Sequence, residues 1–158
     1  MKNNNELISW NSTFSCGIKL IDDQHKELVK LVNDMFNHVS GNGEQEDIYF
    51  NSIIKQAVTY IKVHFATEEK IMLATGFKGY AEHKKEHDDF VLTVVKNINS
   101  YKAKERFTLL SFTKFLKGWV LSHIAIMDKQ YFEYFKKIAT RKADGKLSIS
   151  LEDVRQSA

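Results

Sequence analysis

No proline interrupts the 158-residue chain, and four of its stretches carry apolar residues at alternating three- and four-residue intervals, the spacing of one helical face. Proline ends helices most firmly, through its missing N–H and its ring, so these stretches are free to run long. The first carries Ile21, His25, Leu28, Val32, Met35 and Val39 and ends in the breakers Ser40-Gly41-Asn42-Gly43. The second carries Ile54, Ala57, Ile61, His64, Glu68 and Ile71 and closes at Thr75-Gly76, with Gly76 suited to a C-cap. The third runs from Tyr80 through His83, His87, Phe90, Val94 and Ile98 to Tyr101. The fourth carries Leu109, Phe112, Leu116, Trp119, His123 and Ile126, and its pattern continues through Tyr131, Phe132 and Phe135. Seven glycines supply too few breakers for an all-β sandwich or barrel.

Short glycine-bearing turns join the first three stretches, and the charged run Lys102 to Arg106 separates the third from the fourth. Short connections make successive helices antiparallel neighbours. The expected fold is therefore all-α: an up-down-up-down antiparallel four-helix bundle with an N-terminal arm of about 17 residues. The bundle and arm occupy residues 1–139, and residues 140–158 form a short C-terminal extension in which Ser150 suits the cap of a brief helix from Ser148 to Gln156.

With 43% apolar residues the chain has enough to bury in one domain. Its formal charge of +3 comes from 23 basic and 20 acidic side chains spread along its length, so no basic block points to nucleic acid. The start, MKNNNELISW, has no signal-peptide core, and no apolar run is long enough to span a bilayer. The single cysteine, Cys16, makes no internal disulfide. A cytoplasmic protein without nucleic-acid or membrane partners is expected.

The polar residues on the apolar stripes carry the functional information, because burying each without a partner costs about 1 to 3 kcal/mol. His25 lies on the first stripe, His64 and Glu68 on the second, His83 and His87 on the third, and His123 with nearby Asp128 on the fourth. A lone histidine on such a face is usually a core residue satisfied by a carbonyl or water. Here five of the chain's six histidines face the interior, all but His38, and a shared metal would accept all their lone pairs. His64 with Glu68, and His83 with His87, are spaced i, i+4 and share a face. His123 and Asp128 are spaced i, i+5, about 140° apart on an ideal helix, so they meet only if the helix widens or the aspartate reaches in. Five imidazoles and two carboxylates exceed one ion's needs and suit two ions bridged by the carboxylates. The lack of thiolates speaks against structural zinc and the nitrogen-rich set against calcium or magnesium, leaving iron first and manganese second.

These residues resemble a known family. Trp10, Gly17, Ile21-Asp22, Gln24-His25 and Leu28 are similar to the hemerythrin opening, a tryptophan arm followed by an ID-x-QH-x-x-L helix. The H-x-x-x-E of His64 and Glu68, the H-x-x-x-H of His83 and His87, and the H-x-x-x-x-D of His123 and Asp128 follow in the family's order. The likeness covers roughly residues 8 to 135, and the motifs are specific as a set rather than singly. It implies two iron ions, bridged by a solvent-derived oxo or hydroxo group, that bind dioxygen reversibly. By the same resemblance His83, His87 and His123 hold one iron, which is coordinatively full. His25 and His64 hold the other, which keeps one position open, and Glu68 and Asp128 bridge the pair.

Trp119 and Val120 precede His123 by one turn and are expected to roof the open position as an apolar oxygen pocket. The family pattern has leucine where this chain has Val120. Asp22 and Gln24 are assigned supporting or helix-start roles. Cys16 is expected to be a packed or exposed thiol, His38 a solvent-facing or capping residue, and Tyr101, Tyr131 and Tyr134 aromatics at the edge of the core. The leading expectation is a monomeric, non-enzymatic binder serving oxygen storage, delivery or scavenging, with an unidentified electron donor as its other partner. The alternatives are an oxygen or redox sensor acting through a separate partner at the 140–158 extension, and a di-iron oxidase or peroxidase. Ferritin-like oxidases use carboxylate-rich centres, and here no free acid or base stands on the stripes to deliver protons.

Overall fold

The computed structural model describes residues 6–105 and 108–143, with side chains up to residue 137. Long helices form where the stripes run. They are α1 (Lys19–Asn37), α2 (Gly43–Thr75), α3 (Tyr80–Lys102), α4 (Leu109–Ser122) and α5 (Asp128–Ala143), with a π-helical turn over His123–Met127 joining the last two. The joined pair α4–α5 is the fourth rod of an antiparallel four-helix bundle, and the described residues contain no strand. No described helix is long and apolar enough to cross a membrane.

Local chemistry sets the helix ends. The Asn42 side chain accepts from the Gln45 N–H at 3.3 Å, so α2 starts at Gly43. This is well before Ile54, where the apolar stripe of the sequence begins, and it recruits Phe50, fully buried, as an earlier member of that stripe. Gly43 thus belongs to the helix rather than to the breaker cluster. Gly76 ends α2 at φ +66°, with the Phe77 N–H bonded back to the Met72 carbonyl at 3.0 Å; this left-handed conformation favours glycine. Thr108 caps α4 by accepting from the Ser111 N–H at 3.1 Å. The fourth rod continues as helix through Ala143, beyond residue 139. The 144–158 part of the extension, including the Ser150-capped helix, lies outside the described residues.

The arm is clasped rather than loose. The Asn33 side chain, on α1, accepts from the Leu7 and Ile8 N–H groups at 2.9 Å each and donates to the Ile8 carbonyl at 2.8 Å. At the arm's far end Asp22 accepts from Ser15 Oγ at 2.6 Å, from the Cys16 N–H at 2.7 Å and from the Gly17 N–H at 3.3 Å. Burial opposes the Asp22 charge, but these donors hold its carboxyl below the usual range. The expected helix-start role of Asp22 is therefore what it does. Between the clasps Trp10 reaches within 6.5 Å of the His25 ring, centroid to centroid.

The interior is divided by a polar layer. A large apolar cluster containing Leu28, Val32, Phe50, Ile61, Phe65, Phe90, Leu116 and Val120 fills one side. A smaller cluster of Cys16, Ile18, Ile21, Ile71, Met72, Tyr131 and Phe132 closes the other. His25 lies between Ile21 of the smaller cluster and Leu28 of the larger, as Glu68 does between Ile71 and Phe65 and Asp128 between Tyr131 and Ile124.

The π-turn has a definite geometric job. The Asp128 N–H bonds to the His123 carbonyl, an i→i+5 closure that lets one extra residue into the turn. Asp128 then stands where an i+4 residue would stand in an α-helix. Removing the extra residue should return the rod to α-helix without losing phase. Deletion of Ile126, which is 59% exposed, is therefore expected to preserve the helical circular dichroism and cooperative melting. Deletion of exposed Lys114 within α4 throws the two sides about 100° out of phase and should unfold the bundle. Equal damage from the two deletions would refute this account of the turn.

Candidate metal centre

All seven sequence-identified donors converge. His25, His64, Glu68, Asp128 form one group and Glu68, His83, His87, His123 another, with the candidate ligand atoms of each group within 4.8 Å of one another and every residue buried. Glu68 belongs to both groups, and its two oxygens are divided between them. Oε1 faces His25 Nε2 at 3.6 Å and His64 Nε2 at 3.4 Å. Oε2 faces His87 at 3.2 Å, His83 at 3.5 Å and His123 at 3.7 Å. Asp128 is divided the same way: Oδ2 lies 3.0 Å from His25 Nε2, and Oδ1 lies 3.1 Å from His123 and 3.3 Å from His83.

These are close approaches without hydrogen-bond alignment. Both nitrogens of His25, Nε2 of His64 and His83, and all four oxygens of Glu68 and Asp128 are buried without a hydrogen-bond partner among the described residues. His87 and His123 point their Nε2 atoms at each other, 3.0 Å apart. Apart from that hydrogen-bonded pair, the lone pairs converge on common points without bonding to one another, which fits cation ligands, and the donor set of imidazole and carboxylate fits iron.

Outer partners fix two of the rings. The Gln24 amide nitrogen donates to Thr67 Oγ1 at 3.2 Å, which leaves its carbonyl to accept from His64 Nδ1 at 3.0 Å. Glu69 Oε1 lies 3.0 Å from His87 Nδ1, and a carboxylate only accepts, so that nitrogen carries the proton. In both rings the bare Nε2 is therefore turned inward. Gln24 fulfils the supporting role expected of it. Glu69 was not identified from the sequence: it follows Glu68 and lies off the stripe, and only the packing of α3 on α2 brings His87 to it.

The charges are arranged to be exchanged. Burial opposes ionisation of Glu68 and Asp128, and the surrounding imidazoles outweigh it for both, so both carboxyls are held below their usual range. For His25 and His123 burial works against the proton, but Asp128 and Glu68 outweigh it and push these rings up to about 9 and about 10. His64 is pushed down to about 4 by burial. At neutral pH the metal-free layer thus holds two carboxylates with protons parked on His25 and His123.

Beside the layer lies an apolar cavity of about 10 Å³ lined by Leu28, Leu31, Val32, Ile61, Phe90, Leu116, Trp119 and Val120. Leu28, Ile61, Phe90 and Val120 stand one helical turn from His25, His64, His87 and His123 respectively, so the cavity lies one turn from the layer. Trp119 stacks on the His123 ring at 4.3 Å and 15°. Of the remaining residues, Cys16 is a packed thiol, and burial pushes its pKa up. His38 is the exposed C-cap of α1, stacked on Tyr49 at 3.7 Å. Tyr101 is buried near the core edge, while Tyr131 is fully buried with its hydroxyl unpartnered among the described residues, so it is core rather than edge.

Comparison with known proteins agrees with this geometry. Residues 16–135 match the Hemerythrin HHE cation binding domain family. Bacteriohemerythrin of Methylococcus capsulatus is 29% identical over 126 residues, covering 79% of this chain and 94% of that protein. Myohemerythrin of Theromyzon tessulatum is 27% identical, covering 80% of this chain and 92% of that protein. Among solved structures, a hemerythrin mutant with one leucine replaced by alanine superposes with a TM-score of 0.71 at 27% identity, covering 82% of this chain and 98% of that one. A bundle of this topology, with this donor set in this order, belongs to the hemerythrin family of non-haem iron, oxygen-binding proteins.

Proposed function

We propose that the chain binds dioxygen reversibly at a pair of irons, for storage, delivery or scavenging, and is not an enzyme. In this reading His83, His87 and His123 would hold one iron, His25 and His64 the other, and Glu68 and Asp128 would be shared between them, with a solvent-derived oxo or hydroxo group completing the centre. The observation that carries this reading is the division of both carboxylates' oxygens between the two histidine groups. When bound, the iron pair supplies two electrons to dioxygen and recovers them on release.

The protein's own part is to make that exchange reversible. Three imidazoles on one side against two on the other would leave a free position on the His25–His64 side, and the apolar cavity lies one helical turn from the layer. Trp119 and Val120 wall that cavity, and no ionisable side chain lines it. A dry wall without an acid withholds the protons that would turn bound oxygen into released peroxide. This favours a carrier over the oxidase and peroxidase alternatives. The chain acts as a cytoplasmic monomer in this reading, with an unidentified electron donor keeping the irons ferrous; the unpaired Cys16 suits a reducing compartment.

Iron loading tests the assignment first. Metal-free protein should saturate at two irons per chain and acidify a weakly buffered solution at pH 7. At that pH His25 and His123, raised to about 9 and about 10, still carry protons, and metal requires the neutral rings. Saturation at one iron, or loading without proton release, would count against the scheme.

Reversibility is the second test. Reduced protein exposed to air and then flushed with inert gas should regain its reduced optical spectrum over several cycles, whereas complete oxidation with peroxide release in the first cycle would favour the oxidase reading. Val120→Ala should keep both irons and hasten conversion to the oxidised, oxygen-free form by about tenfold, equivalent to about 1.4 kcal/mol of lost protection. An unchanged rate would remove Val120 from the oxygen pocket.

A further inference from the structure

Two hollows in the bundle share a wall. The inner one is the cavity of about 10 Å³ beside the centre. The outer one, about 70 Å³, is a groove between α2 and α3, bordered by Val58, Ile61 and Lys62 on one side and by Phe90, Val91, Val94 and Val95 on the other. Ile61 and Phe90 line both hollows. Both are buried, at 5% and 4% exposure, whereas Val95 at the groove's rim is 49% exposed. A largely apolar track therefore runs from solvent to the inner cavity, closed by one layer of side chains.

We propose that dioxygen enters and leaves through this α2–α3 groove, passing between Ile61 and Phe90. The inference rests on the oxygen-binding reading and adds the path to it. Dioxygen is small and apolar and is not held back by such a lining, while water finds no partner there beyond the exposed Lys62. Phe90 is pinned, stacked on Trp119 at 3.9 Å and on Phe115 at 5.5 Å and set edge-on to Phe65 at 5.9 Å. Ile61 lacks such a stack and is the moving leaf, and rotamer changes of this kind are fast compared with turnover of a bound ligand.

A second groove, between α1 and α2, touches the inner cavity at Leu31 alone. Its mouth carries Glu27, Lys30 and Asp34, charged groups that hold water. Traffic there would bring to the centre the solvent that the apolar lining keeps away.

Val95→Phe and, separately, Val91→Phe fill the outer groove, and neither residue lines the inner cavity. Oxygen association and dissociation are followed by stopped flow on the iron-loaded variants. A plug on the route slows entry and exit by a common factor, expected to be on the order of tenfold, and leaves affinity and optical spectrum unchanged. A distortion of the centre would instead change their ratio or the spectrum. An iron-independent readout uses the zinc-loaded Trp10→Phe chain, in which Trp119 is the one tryptophan left of two. Quenching of its fluorescence by dissolved oxygen should fall when either plug is added. Unchanged rates in both folded plug variants overturn the route, as does a slowing produced by Gln56→Phe in the α1–α2 groove instead. If the unplugged chain takes up no oxygen reversibly, the oxygen-binding reading fails, and Trp119 quenching still decides whether the groove admits the gas.

Discussion

Seven polar side chains are buried between two apolar clusters, and apart from two outer hydrogen bonds their inward atoms have among the described residues only one another, and whatever they jointly hold, as partners. Left unpaired at about 1 to 3 kcal/mol each, they would cost on the order of 10 kcal/mol, as much as the whole net stability of an ordinary domain. Their survival in the middle of the bundle makes the layer the structure's central constraint. Each helix contributes to it, so what satisfies the layer also ties the helices together, and metal affinity becomes folding free energy. The outer hydrogen bonds from His64 to Gln24 and from His87 to Glu69 follow from the same constraint. They choose the ring nitrogen that faces inward before any ion arrives.

The same constraint accounts for the irregularity in the fourth rod. Asp128 has to meet His25 on α1 and both His83 and His123, and regular α-helix cannot bring an i+5 residue round to its partner. The π-turn over His123–Met127 absorbs the difference and leaves Ile126 exposed on the outside. A helical hydrogen-bond pattern is locally surrendered so that a carboxylate can divide its oxygens between two histidine groups. Glu68 reaches the same division from regular helix, in the last third of the long α2, where it faces both groups.

Much of this was legible in the sequence because periodicity records which face of a helix is buried. The apolar stripes identified the four rods, and polar residues on those stripes identified all seven members of the layer. The i, i+5 spacing of His123 and Asp128 raised the choice between a widened helix and a reaching side chain, and the backbone took the first. The early start of α2 was less visible, since Asn42 lies inside a cluster that reads as a breaker and only its side-chain oxygen makes it a cap. Glu69 and Asn33 left no periodic trace. Each acts on a group far away in sequence, His87 in one case and the arm backbone in the other, so its role exists only once the helices have docked.

The two sides of the layer are built for different tasks. On the side of His83, His87 and His123, ring packing is dense: Phe65 lies against His87 at 3.7 Å and 5°, and Trp119 against His123 at 4.3 Å. Such stacking fixes the orientation of these rings. The other side carries one histidine fewer, and the apolar cavity one turn from the layer has, beside the rings of Phe90 and Trp119, aliphatic walls at Leu28, Ile61 and Val120 that can yield by rotamer change. Rigid holding and ligand access make opposite demands on packing. Dividing them between two halves that share two carboxylates lets one bundle meet both. The valine at position 120 bears on the second demand alone, since a shorter side chain there loosens the cavity wall while every donor in the layer keeps its place.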